Sequence, residues 1–221
     1  MTGKREARIQ VAEATEILTG LQNGLLSLQS ELLDLELMND MSSNNLLVID
    51  RAEDLRRSLT DNLRTGAQAI RDPLASAESA FFDAAMAGRI DAGHARTMTA
   101  VVLQAARESR HLQFDIADAA AALLPVTSAS PSSDELAQVT RLAISRASTS
   151  VEHARRSAYT ISEILPLVER GLAIQAVSRG IQAVLAVEVP AAPESALAAT
   201  SRAQERHREV SRSSRNTGIS R

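Results

Sequence analysis

Val11, Ala14, Leu18, Leu21, Leu25, Leu28, Leu32 and Leu35 follow one another at alternating steps of three and four residues. Such a row lies along one side of an α-helix. It has no coherent face on a β-strand, where side chains alternate every two residues. From Leu18 onward every position in the row is leucine, so Leu18, Leu21, Leu25, Leu28, Leu32 and Leu35 read as the a and d positions of a heptad seam. A chain that begins this way must bury one side of a long helix against other helices. A second apolar set, Ile17, Leu26, Leu33 and Leu37, lies beside the seam and predicts contact with more than one neighbour. Gly20 and Gly24 share a face at four-residue spacing, which marks a close approach or a weak point in the helix.

Composition points the same way. Hydrophobic residues make up 44% of the 221 residues and aromatics only 2%, so the core must be built from Leu, Ala, Ile, Val and Met. Sandwiches and barrels lean on aromatic and β-branched residues, and that supply is missing here.

Further along, Asn39-Asp40-Met41-Ser42-Ser43-Asn44-Asn45 reads as a turn, because Asn, Asp and Ser compete for backbone hydrogen bonds. A second helix is predicted from about Leu46 to Arg71, burying Val48, Ala52, Leu55, Leu59 and Leu63. Asp72-Pro73 predicts a fresh helix start capped by Asp72. That helix carries Phe81 and Phe82 and ends near Gly88. Asp91 is placed to cap a long fourth helix with a row at Met98, Val102, Ala105, Ser109, Leu112, Ile116, Ala119 and Leu123. Pro125 is expected to end it, and Ser132-Ser133-Asp134-Glu135 matches a capping box for the next. The last long row runs Thr140, Ile144, Ala147, Val151, Ala154, Ala158, Ile161, Leu165, Val168 and Leu172, with Pro166 predicted to kink or split it and Gly171 and Gly180 to loosen it. The predicted organisation is an all-α, elongated antiparallel bundle of heptad-patterned, coiled-coil-like helices. It comprises residues 1–124, a Ser/Pro linker at 125–132, a kinked helix at 133–187, an Ala/Pro linker at 188–193, and a polar Arg-rich helix and tail at 194–221.

Several function classes lose their footing on the sequence. There is no cysteine, which removes disulfides, thiolate metal sites and cysteine nucleophiles. Nine glycines form no phosphate-binding loop or dinucleotide fingerprint, and no Gly-x-Ser-x-Gly elbow occurs. Glu108-x-x-His111, with Asp115 and Asp118 beyond it, has the local spacing of a di-iron carboxylate helix, but no second Glu-x-x-His pair completes such a site. These groups read as a surface ion-pair cluster. The sequence therefore names no catalytic, cofactor-binding or metal-ligating residue. The basic start has no apolar stretch behind it, and Leu172–Val187 is interrupted by Gln175, Arg179 and Gln182, so a cytosolic chain without a signal peptide or membrane span is expected.

Charge supplies one lead. Lys4 is the lone lysine, and all other basic side chains are arginine. Between Arg202 and Arg221 six arginines oppose two glutamates, a balance of +4 within a chain of −3, so the remainder carries −7. Arg202, Arg206, Arg208, Arg212 and Arg215 are candidate contacts for phosphate or an acidic partner. No aromatic is interleaved for base stacking, so nucleic-acid binding through this arm would be sequence-blind. The expected function is a non-enzymatic structural or interaction protein that associates with itself, or with another helical protein, through the heptad seam. A nucleic-acid-associated oligomer is the alternative, and a membrane-active amphipathic protein the next.

Overall fold

The structure, a computed structural model, describes residues 3–41, 44–130 and 135–188, with side chains over 7–41, 44–130 and 135–174. Every element among these residues is helical. The order is α1 (Gly3–Met41), α2 (Asn45–Arg57), a π-helical segment (Ser58–Leu63), α3 (Arg64–Ala69), α4 (Arg71–Met86), α5 (Ala92–Thr127) and α6 (Leu136–Glu188). The chain divides into a unit of residues Met1–Ala176 and a unit of residues Val177–Arg221. The described side chains belong to the first unit, in which the helices pack as a bundle.

The spaced rows are the core. All eight positions from Val11 to Leu35 are buried, as are the full rows on α5 and α6. Burial of a leucine side chain stabilises by roughly 1.5–3 kcal/mol, so these rows are the main source of stability. Residues along α1 reach α6 in a fixed order. Arg8 meets Glu169, Gln22 donates to the Ala158 carbonyl, Gln29 accepts from Arg155, Asn39 donates to the Ala137 carbonyl, and Asp40 accepts from Arg141. Partner numbers on α6 fall from 169 near the start of α1 to 137 and 141 near its end.

Local chemistry sets the helix ends. Asn44 caps α2 by accepting from the Leu46 amide, and Asp91 caps α5 by accepting from Gly93 and His94. Gly88 takes the left-handed conformation (φ 63°) after α4, and the Arg89 amide reaches back to the Ala84 carbonyl, which closes the helix as expected.

Three breaks differ from expectation. The single helix predicted over 46–71 contains the π-helical segment. Its buried residues run Leu55, Leu59, Leu63, Ala67, three steps of four where a seam alternates four and three. The wider π turn absorbs the extra residue and keeps the apolar face inward, with Arg64 N–H bonded to the Leu59 carbonyl. Asp72 does not cap α4. Ile70, itself buried, precedes that helix without any side-chain cap, and Asp72-Pro73 lie inside the first turn, where proline's missing N–H has no helical partner to lose. Pro125 does not end α5, which continues to Thr127; the following amides remain available and Val126 is drawn into the core. The connecting stretch thus begins at Ser128. Pro166 lies inside α6 without ending it. The proposed capping box at 132–135 lies mostly outside the described residues.

Glycines mark where elements approach closely. A Cβ on Gly24 would meet Leu63 Cδ2 at 2.6 Å, and one on Gly66 would meet Leu21 Cδ2 at 2.9 Å and Cγ at 3.2 Å. Gly20 has open space. Gly171 admits Met98 and the buried ring of Phe81, so it serves packing rather than loosening α6.

Three outcomes follow from this packing. Leu25→Asp places a carboxylate at a fully buried position and should cost about 4 kcal/mol or more, removing helical circular dichroism. Gly66→Ala should lower stability by about 1–3 kcal/mol through overpacking against Leu21. Gly20→Ala, in open space, should raise it by up to about 1 kcal/mol. Chemical denaturation of the variants checks the opposite signs.

Candidate interaction surface

The six leucines expected to form an assembly seam, Leu18, Leu21, Leu25, Leu28, Leu32 and Leu35, are covered by helices of the same chain. A surface available to partners must therefore lie elsewhere. The second apolar set supplies it. Ile17 packs against the core, but Leu26, Leu33 and Leu37 are 49%, 57% and 59% exposed, and Met41 is 85% exposed. With the exposed Ser30 between them, Leu26, Leu33 and Leu37 form a line at steps of four, three and four along the outer face of α1. An isolated exposed leucine is ordinary, but a line at helix-packing spacing presents a continuous strip for another helix.

Between this strip and α6 runs a groove of about 530 Å³, lined by Gln22, Asn23 and Leu26 on one side and Glu152, Arg155, Arg156, Tyr159 and Thr160 on the other. Arg155 and Arg156 both bond to Glu152, at 3.2 Å each, so two guanidiniums share one carboxylate. Arg155 is held toward α1 by Gln29, while the Arg156 side chain is 71% exposed. Tyr159 is exposed, and hydrogen bonding to Glu163, followed by the charge of that carboxylate, holds its phenol above the ordinary value. Two guanidiniums against one carboxylate give the groove a cationic excess beside the apolar strip.

Aromatic residues divide unexpectedly. Phe81 is buried between α5 and α6 at Met98 and Gly171, whereas Phe82, Phe114 and Tyr159 are exposed. Adjacent positions on a helix point about 100° apart, and here Phe81 turns to the core while Phe82 turns to solvent.

The α5 acid–histidine cluster acquires a member that linear spacing missed. His153 of α6 joins Asp115 and Asp118 along a groove of about 550 Å³, which also contains Arg146 and Ser150. Ser157 donates to Glu108 at 3.3 Å. Burial pushes the Asp115 carboxyl above its ordinary value, against the pull of His153 and His111. Among the described residues no group of three or more His, Asp or Glu side chains is arranged to hold a metal ion. No described helix is long and apolar enough to cross a membrane. Arg202, Arg206, Arg208, Arg212 and Arg215 lie outside the described residues.

A strong electrostatic device sits at the end of α2. Glu53 accepts two bonds from Arg56 at 2.8 Å and one from Arg57 at 3.0 Å, immediately before the π-helical segment. The hydrogen bonds and charge of Arg56, then those of Arg57, hold the Glu53 carboxyl down at about 2 from an ordinary 4.5. No known protein family's model matches the chain, and no curated protein matches it.

A depressed carboxyl pKa contributes stability at pH above its unfolded value, and that contribution is lost as pH falls through the folded value. Glu53→Gln should thus lower the melting temperature relative to the parent above pH 4.5, and the difference should shrink to nothing as pH approaches about 2. Paired thermal melts across that window test it; a constant difference would remove the ion pair as its cause.

Proposed function

We propose that the protein is a non-enzymatic structural or interaction protein that associates with copies of itself through helix faces, as an antiparallel bundle with coiled-coil-like packing. The falling order of α6 partners along α1 supports the antiparallel arrangement. Burial of every position in the four-three rows supports the coiled-coil-like packing. The observation that carries self-association is the solvent-exposed line of Leu26, Leu33 and Leu37 on a helix whose other leucine row is already buried. The association surface is thereby the outer face of α1 rather than the seam. The cytosolic setting expected from the sequence belongs to the same reading.

The contrast between a +4 arm and a −7 remainder favours a second reading, sequence-blind binding of nucleic acid through Arg202–Arg221. Six arginines on phosphates would give a log–log salt slope of about −5.

Absolute molar mass over a dilution series, at low and high salt, separates the two. Self-association predicts mass above the 23.6 kDa monomer that persists in high salt and after removal of residues 202–221. Nucleic-acid binding predicts a complex lost under both treatments. A monomer at every concentration overturns the first reading.

A further inference from the structure

The exposed line on α1 has two unlike edges. The edge toward α6 carries Gln22, Gln29 and, seven residues on, Glu36; Gln22 and Gln29 contact α6 directly. The opposite edge carries Ser27, Asp34 and Met41 at the same spacing, and Ser27 lies beside the π-helical segment. Glu36 and Asp34 are both exposed, and neither forms an ion pair among the described residues. The α6 edge also holds the groove in which Arg155 and Arg156 share Glu152.

We propose that the outer face of α1 binds the same face of a second copy in antiparallel orientation, so that Glu36 of each copy enters the Arg155/Arg156 groove of the other. This rests on the self-association reading above and adds the face, the direction and the charge pair. The reasoning is geometric. In a parallel two-fold pair of helices, opposite edges face each other, which sets Glu36 against Asp34 of the second copy, two carboxylates across one apolar strip. In an antiparallel pair, like edges face each other.

A two-fold axis midway between Glu31 and Leu32 stacks Leu26 on Leu37 of the second copy and Ser30 on its Leu33. The same operation carries Glu36 of the second copy to the level of Ser27 on the α6 edge. That level lies between Gln22 and Gln29, where the groove opens and Arg155 is anchored. Interface charges of this kind fix orientation and register more than they add affinity. A closed two-fold pair also covers the leucine line on both copies at once and leaves no open end to propagate.

The absence of native cysteine makes the orientation directly readable. Leu26→Cys and Leu37→Cys are made separately in the full chain, mixed, and gently oxidised. The antiparallel pair predicts a covalent heterodimer in the mixture and little product from either variant alone. Product from Leu26→Cys alone overturns the orientation.

Charge reversal gives a second readout that does not depend on an apolar position. Glu36→Arg should weaken the dimer at least tenfold, as should Arg156→Glu, and the double variant should recover most of the loss. A parallel pair predicts the reverse for Glu36→Arg, because it would relieve repulsion with Asp34. Leu33→Asp, at an exposed position, should give a monomer with unchanged helicity. If the parent protein is oligomeric and ignores Leu33→Asp and Glu36→Arg, the proposed face fails while self-association stands. If the parent is monomeric throughout, both fail.

Discussion

Burial of one leucine row on α1 is the constraint on which the remaining structure depends. A 39-residue helix with leucine at each seam position from Leu18 to Leu35 cannot stay in water on that side, and α2, α3, α4 and α6 pack against it while α5 packs on α2, α3 and α4. The facing rows answer in kind. On α6 the buried row is rich in alanine, at Ala147, Ala154 and Ala158, all fully buried, and such small side chains let neighbouring helices approach closely. The near absence of aromatics belongs to the same design, since only Phe81 finds a core position, and it needs Gly171 beneath it.

The π-helical segment is the adjustment that makes a continuous chain compatible with this core. From Val48 to Leu74 the buried positions carry one residue more than a regular seam allows. The wide turn at Ser58–Leu63 takes it up, and the close approach of Gly24 to Leu63 and of Gly66 to Leu21 locates the adjustment against α1. Glu53, gripped by Arg56 and Arg57, braces the last regular turn before it. Thr60, bonded through its hydroxyl to the Arg56 carbonyl, occupies an acceptor that a regular ladder would use.

What the surface offers is set by what the core leaves over. The same helix that supplies the central leucine row carries a second, shorter one outward, beside a groove with an excess of arginine. The α5–α6 acid–histidine groove reads as a partly buried polar seam in which His153 and His111 offset the burial of Asp115. The proposed self-association rests on that outward leucine line.

The sequence by itself determined the helical class, the identity of the buried rows and most helix ends. Spacing of apolar residues is a local property, and the hydrophobic effect acts on it whatever the neighbours are. Asp91 and Gly88 were legible for the same reason, because capping and left-handed turns are decided within a few residues. Even the π-helical segment left a trace in the repeated steps of four from Leu55 to Leu63, though the row alone does not say whether the chain widens its turn or exposes a residue. Tertiary structure decided which apolar rows were covered. Leu25 and Leu26 are chemically the same, yet one is fully buried and the other half in water, because covering depends on where α2 to α6 pass. It also decided that Pro125 and Pro166 would sit within helices, and that His153 would join Asp115 across two helices. Those outcomes depend on contacts between residues far apart in the chain, and no local pattern contains them.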